Sequence, residues 1–219
     1  MYRPIPTTRE HHRNAVSAFQ ASFVWSAELL GRLFHIRNPT RAATAWLTNY
    51  ERQRYFSSMS LEVSIIGPPD KTIFSCEPGE PLPDKHKLAY QLERRWTDAP
   101  PKRTRIYWPT TQFAECYGGR WLGSRNAPAT HKVSHDLLVS AVWLRYFAMS
   151  PDVATEAWIP ERELEYLHRS GERKGPIPDA LIQANERPIA VEIGGQYPAN
   201  CLLSKLKQCV AAGYRWELW

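Results

Sequence analysis

The stretch SAELLGRLFHIRNPTRAATAWLTNYERQRY, residues 26–55, decides the fold that we predict for the N-terminal half of the chain. Ser26 is a suitable N-cap for a first helix, and Glu28 follows in its first turn, where a negative charge is favourable. Asn38 followed by Pro39 is a strong signal for the start of a second helix. The stretch therefore predicts two helices joined by a short turn, which is the helix-turn-helix arrangement.

The second of these helices, predicted over residues 39–55, has two different faces. Its apolar side chains recur at helical spacing and form an inner face, made of Ala43, Trp46, Leu47 and Tyr50. The opposite face is small, polar and cationic, as a helix that enters the DNA major groove needs to be. We expect contacts with double-stranded DNA from Arg37, Thr40, Arg41, Thr44, Thr48 and Arg52. The alternative is a plain helical hairpin with a solvated outer face.

The distribution of charge agrees with a DNA-binding N-terminal segment. The 219 residues carry a net charge of +6, and residues 1–60 contain eight Lys or Arg against three Asp or Glu. Residues 61–160 contain twelve against eleven, and residues 161–219 contain eight against eight. The basic excess therefore lies in the first quarter, where Arg suits bidentate contacts with phosphate and guanine. A solvated basic surface would give the same count.

Two predicted strands complete the N-terminal domain. Residues 61–67 and 103–110 show strand patterns, and they would pair as the wing of a winged helix. Arg103 and Arg105 would then contact backbone phosphates. Between the strands we expect an irregular Pro- and Gly-rich excursion and one helix. These elements predict a winged helix-turn-helix domain over residues 1–120.

The C-terminal part predicts a small α/β domain over residues 131–219, after a linker at 120–130. From residue 176 the pattern indicates a strand (177–183), a turn (184–187), a second strand (188–195), a helix (200–212) and a third strand (214–219). A four-residue turn would place residue 183 opposite residue 188, so that Asp179 faces Glu192 across the ladder. Such carboxylates repel each other unless a cation or a shared proton offsets their charge. Adjacent strands of nucleases hold Mg²⁺ with pairs of carboxylates of this kind. The alternative is that one or both of these carboxylates point to solvent beside Lys or Arg.

The order of motifs resembles one family. The stretches RIYWPTTQFAECYGG (105–119), VSHDLLVSAVWLRY (133–146) and IPDALI…IAVEIGG (177–195) occur in the order found in the replication-relaxation family of plasmids and other mobile elements. The resemblance covers most of the chain. It implies an α+β or α/β protein, with a winged helix-turn-helix followed by a restriction-endonuclease-like domain of the PD-(D/E)xK type.

The resemblance also implies an acidic pair, Asp179 and Glu192, that would hold Mg²⁺ or Mn²⁺ in an active nuclease. A working site of this type needs a Lys two residues after the Glu, and this position is Gly194. Lys205 or Lys207 on the next helix would have to substitute, and Glu165 would be a further carboxylate. We therefore expect an incomplete active site.

Three functions follow from these observations. The first is a non-catalytic DNA-binding accessory or regulator of replication or mobilisation, with no cofactor. The second is a Mg²⁺- or Mn²⁺-dependent DNA nuclease with Asp179, Glu192 and Lys205 as catalytic residues. The third is a protein-interaction or dimerisation scaffold that uses exposed aromatic side chains such as Trp216 or Trp219.

Cysteine usage and hydropathy give the expected location. Cys76, Cys116, Cys201 and Cys209 lack the spacing of zinc ligands, and we expect reduced thiols. The N-terminal residues lack the apolar core of a signal peptide, and no apolar run approaches the length of a membrane span. We expect a cytoplasmic protein that does not bind membranes.

Overall fold

A computed structural model describes residues 8–34, 36–118, 127–183, 187–195 and 198–219 of the chain. In chain order the first elements are α1 (Arg9–Ala21), β1 (Trp25–Ser26), α2 (Ala27–Gly31), α3 (Pro39–Arg52), β2 (Phe56–Val63), β3 (Phe74–Cys76), α4 (Lys85–Thr97), β4 (Lys102–Pro109) and α5 (Thr111–Tyr117). The later elements are α6 (Val133–Met149), β5 (Trp158–Pro160), α7 (Glu161–Arg169), β6 (Ala180–Ile182), β7 (Ile189–Glu192), α8 (Ala199–Ala211) and β8 (Arg215–Leu218). The chain is thus a mixed α+β protein.

The chain divides into two compact units, each built from two separate segments. The first unit consists of Met1–Gly67 and Pro101–Leu144, and the second unit consists of Pro68–Pro100 and Arg145–Trp219. This division differs from the predicted boundaries at 1–120 and 131–219. The stretch that we predicted as an irregular excursion contains β3, which pairs with β8 in the second unit. A strand of three residues is too short to show the alternation on which sequence prediction depends.

The first unit contains a three-stranded antiparallel sheet in the order β1-β4-β2. The predicted wing strands do pair, in a register from Phe56 opposite Pro109 to Val63 opposite Lys102. However, β2 begins five residues before the predicted strand, because three Ser residues in FSSMSLEV weaken its apolar alternation. A cluster of aromatic rings fills the core beneath the sheet: Phe19, Trp25, Trp46, Phe56 and Phe113.

The two helices α2 and α3 approach each other closely at Gly31. Ser26 caps α2 as predicted, with its Oγ accepting a hydrogen bond from the Leu29 N–H at 3.2 Å. Helix α2 ends at Gly31, because the next three N–H groups bond to carbonyls three residues back and tighten the chain into a turn. Pro39 occupies the first turn of α3, but Asn38 makes no side-chain capping bond.

The second unit contains a five-stranded mixed sheet in the order β3-β8-β7-β6-β5. Strands β7 and β8 are parallel and are joined by α8, whereas all other neighbours are antiparallel. Trp216 is fully buried and Trp219 is 5% exposed, so the prediction that these rings are exposed for a partner is wrong. Trp219 instead donates through Nε1 to the buried Glu217 carboxylate, which also accepts from Tyr146.

Two further predictions concern cysteines and membrane spans. All four cysteines are free thiols, with Cys76 and Cys209 buried and Cys116 and Cys201 exposed. In the part of the chain that the structure describes, none of the helices combines the length and the apolar character needed to cross a membrane.

We predict that Gly31→Ala destabilises the first unit. A Cβ at Gly31 would lie 2.9 Å from the backbone C of Pro39 and the backbone N of Thr40, and backbone atoms cannot move aside cheaply. The expected loss is about 1–3 kcal/mol of unfolding free energy, as for other overpacked sites, measured by chemical denaturation. Gly67→Ala is the matched control, since its Cβ would meet only the flexible Arg32 side chain at 3.4 Å. Equal stability of the two variants would contradict the close approach of α2 and α3.

Candidate carboxylate and lysine site and the outer face of α3

The pairing of β6 with β7 follows the predicted register. Ala180 lies opposite Val191 and Ile182 lies opposite Ile189. Asp179 precedes β6 directly, and Glu192 is the last residue of β7, so the two carboxylates lie at the same end of neighbouring strands. Both are buried, with 4% and 2% of their surface exposed. The predicted juxtaposition of Asp179 and Glu192 is therefore confirmed at the level of strand register.

Each carboxylate is held by a specific donor. The Ile193 N–H donates to Asp179 Oδ2 at 2.6 Å, and Lys205 Nζ donates to Glu192 Oε2 at 2.7 Å. The Lys205 side chain extends from α8 and is 35% exposed, so its stem is largely covered while its ammonium reaches the buried acid. Lys207 lies two residues further along the same helix and is exposed. Lys205 is therefore the lysine that joins the acidic pair.

A contact from α4 explains why Gly194 occupies the position expected for a Lys. A Cβ at Gly194 would overlap the Leu92 side chain, which covers the backbone there. The Gly194 carbonyl accepts from Arg95 Nη2 and, at 2.8 Å, from Trp96 Nε1. Burial lowers the pKa of Arg95 to about 10, which leaves the guanidinium charged at neutral pH. There is no room for a side chain at Gly194, and the ammonium comes from α8 instead.

A third carboxylate, Glu161, lies beside the pair. Pro160 pairs with Ala180 at the end of β5, and the Glu161 N–H donates to the Asp179 carbonyl at 3.0 Å. The same antiparallel register therefore brings Glu161 next to Asp179. Sequence reasoning selected Glu165 as the further carboxylate, but Glu165 is exposed and lies 4.0 Å from Arg169 of its own helix. Finding Glu161 requires the β5–β6 register, and β5 has only three residues.

The electrostatic balance of the site leaves it short of positive charge. Burial first, and then the negative charge of Asp179, raise the pKa of Glu192 to about 8, against the opposing effect of the Lys205 ammonium. Glu161 contributes a smaller effect in the same direction as Asp179. Among the residues that the structure describes, no group of three or more His, Cys, Asp or Glu side chains is placed to hold a metal ion.

In the first unit, the outer face of α3 carries the predicted DNA-binding residues. Most are exposed: Arg37, Thr40, Arg41, Thr44 and Arg52. Thr44 Oγ1 donates to the Thr40 carbonyl at 2.8 Å, and Thr48 is half-buried beside Tyr107, with which it shares a hydrogen bond. The inner face of α3 is buried, through Ala42, Ala43, Trp46 and Leu47.

The two predicted wing arginines have different environments. Arg103 is exposed, opposite Glu62 in the ladder. Arg105 Nη2 donates to both Glu51 oxygens, at 3.0 and 2.9 Å, and its Nε donates to Ser58 Oγ at 2.9 Å. Its guanidinium also lies over the Tyr107 ring at 5.5 Å. Arg105 thus joins α3 to the sheet through its Nε and Nη2 donors, and its contact with phosphate stays a prediction.

We predict that Glu192 makes the stability of the metal-free protein depend on pH. Because its folded pKa is raised to about 8 from an ordinary 4.5, the folded state keeps a proton that the unfolded state releases. The free energy of unfolding should therefore fall as pH rises from about 4.5 to 8, by up to about 1.4 kcal/mol per pH unit from this group. Denaturation in EDTA at several pH values measures it. Glu192→Gln should remove this contribution and exposed Glu165→Gln should not; identical curves for all three proteins would contradict the assignment.

Comparisons with known proteins do not supply a family for this chain. It matches no model of a protein family, no curated protein and no solved structure. We therefore infer its function from the side chains of the two units and their contacts.

Proposed function

We propose that the protein binds double-stranded DNA through the outer face of α3. The observation that carries this proposal is the state of two arginines on that face. Arg41 and Arg52 are exposed, and neither forms an ion pair with any acidic side chain that the structure describes. Guanidinium groups held on a helix without an internal partner are suited to phosphate oxygens and guanine edges.

The topology of the first unit supports the same function. Its order is α1, β1, α2, α3, β2 and β4, with a sheet arranged β1-β4-β2. This is the order expected of a winged helix, in which α3 would enter the major groove and the β2–β4 hairpin would be the wing. The segment Pro68–Pro100 is inserted between the two wing strands and belongs to the second unit. In this arrangement exposed Arg103, rather than Arg105, is the wing residue available for phosphate.

We predict that Arg41→Ala combined with Arg52→Ala weakens duplex binding at least tenfold at physiological salt. Each lost phosphate contact also removes counterion release, so the slope of log K against log salt should become shallower by about 0.9 per contact. Fluorescence anisotropy with a labelled duplex over a series of salt concentrations measures both effects.

The charge-matched control for this experiment is Arg9→Ala combined with Lys132→Ala. Both residues are exposed in the first unit and lie outside α3 and the sheet. The control should keep the wild-type affinity, apart from a small general effect of charge. If the α3 variant and the control bind duplex DNA equally well, α3 is not the DNA-binding element.

A second candidate function is divalent-metal-dependent cleavage of DNA, and a specific observation favours it. Lys205 Nζ lies 2.7 Å from Glu192 Oε2, beside Asp179, although the usual lysine position is Gly194. An acidic pair at the ends of adjacent strands, joined by a lysine, is the set of groups that PD-(D/E)xK nucleases use. The mixed sheet, with β7, α8 and β8 forming a parallel crossover, is compatible with that fold.

The side chains of the site fit a hard cation with oxygen ligands. Asp179 and Glu192 would hold Mg²⁺ or Mn²⁺, and the cation would offset the repulsion that raises the pKa of Glu192. When bound, such an ion polarises a phosphoryl oxygen and acidifies a water molecule. Lys205 would orient the attacking water and stabilise the negative charge that develops on the phosphate.

We predict that Lys205→Ala and Asp179→Asn each lower Mn²⁺-dependent cleavage of DNA by at least a hundredfold. A lost charged group at the reacting phosphate typically costs a factor of this size. Single-turnover assays with single- and double-stranded substrates measure the rate, and far-UV circular dichroism confirms that each variant is folded.

Lys174→Ala is the control, because Lys174 is an exposed lysine of the same unit outside the site. It should cleave at the wild-type rate. Absence of cleavage by the wild-type protein with every metal and DNA form, while duplex binding persists, would exclude the nuclease. Such a result would favour the non-catalytic DNA-binding accessory of replication or mobilisation, which rests on the basic helix-turn-helix and on Gly194 at the lysine position.

A further inference from the structure

Helices α4 and α8 lie side by side in the second unit. Leu88 and Leu92 of α4 share one buried core with Leu202 and Leu206 of α8. Near one end of the pair, Lys85 Nζ donates to Asn200 Oδ1 at 2.8 Å. Ala190, Trp216 and Leu218 of β7 and β8 belong to the same core, so both helices pack on one face of the sheet. Their outer faces are directed away from that sheet face, and together we call them the α4–α8 face.

The α4–α8 face carries exposed cations. Of the six Lys or Arg residues of the two helices, Arg95 and Lys205 contact the carboxylate and lysine site, and Glu93 is the one acidic residue within the helices. Lys87, Arg94 and Lys207 are exposed. The one ion pair of Arg94 among the described residues is with Asp98, at 3.8 Å, and both side chains are about 70% exposed (72% and 69%), so this pair is weak. The surface is suited to a polyanion.

An exposed aromatic ring lies between the two exposed cations of α4. Tyr90 is 65% exposed, and only Leu82 and Met149 are other large hydrophobic side chains exposed in the described part of the chain. Tyr90 lies four residues before Arg94 and three after Lys87, so helical geometry places all three on one side of α4. Cationic side chains around an exposed aromatic ring are typical of surfaces that bind single-stranded nucleic acid, where bases stack on the ring.

We propose that the α4–α8 face binds a single strand of DNA, with phosphates on Lys87, Arg94 and Lys207 and an unpaired base stacked on Tyr90. The inner sides of the same two helices contact the carboxylate and lysine site. Arg95 and Trp96 of α4 donate to the Gly194 carbonyl, and Lys205 of α8 donates to Glu192. The inference rests on the proposed function in its choice of DNA as ligand, but it uses residues that α3 does not.

The test measures the affinity of the full chain for a labelled single-stranded oligonucleotide in EDTA, by fluorescence anisotropy. Lys87→Ala combined with Lys207→Ala should weaken binding at least tenfold and make the salt slope shallower by about 1.4, from two lost contacts. Tyr90→Ala should weaken binding about tenfold, whereas Tyr90→Phe should bind as the wild type does, because the ring remains. Lys174→Ala is the charge control and should not change the affinity.

A parallel measurement with duplex DNA separates this proposal from the function of α3. The Arg41→Ala, Arg52→Ala variant should retain single-strand binding, and the Lys87→Ala, Lys207→Ala variant should retain duplex binding. Single-strand affinity that is unchanged in both the Lys87/Lys207 and the Tyr90→Ala variants would overturn the proposal. Binding of the face to anionic phosphatidylserine vesicles, without binding to the oligonucleotide, would also overturn it. Unchanged duplex affinity of the α3 variant would instead count against the function proposed for α3.

Discussion

The packing of Leu92 against Gly194 determines how the second unit is arranged. Leu92 belongs to the segment inserted between two strands of the first unit, and Gly194 follows the strand that ends in Glu192. Because the leucine covers the backbone, no side chain fits at Gly194, and the ammonium that accompanies Glu192 comes from Lys205 on α8. The same insertion supplies Arg95 and Trp96, which hold the Gly194 carbonyl. One apolar contact thus joins the inserted segment to the end of the strand that carries Glu192.

Local patterns predicted much of the fold. The amphipathic stripes of α3 and α8 are visible at helical spacing, and the short turn before residue 188 was sufficient to predict the register of β6 and β7. The division into units was not predictable in this way, because it depends on β3 pairing with a strand about 140 residues later in the chain. Strand β2 begins before its predicted start because serines interrupt the alternation that marks a strand.

The candidate site was predictable where residues are joined by local geometry and not where distant elements meet. Asp179 and Glu192 follow from one hairpin, but the choice of Lys205 over Lys207 needs the packing of α8, and Glu161 needs a second register. We predicted that Arg105 contacts phosphate, because the sequence does not show that Glu51, 54 residues away on α3, pairs with it. The charge count along the chain did not predict the α4–α8 face. Its cations come from two segments, and in each segment acidic residues at other positions balance the basic ones.

The two units carry different chemistry that is suited to the same polymer. The first unit offers exposed arginines on a helix, and the second unit offers buried carboxylates with a lysine as well as exposed cations on α4 and α8. The central claim is that α3 binds duplex DNA, and a structure of the full chain with a short duplex tests it most directly. The account predicts α3 in the major groove, with Arg41 and Arg52 within hydrogen-bond distance of phosphates or base edges. A duplex bound elsewhere, with the outer face of α3 left exposed to solvent, would contradict it.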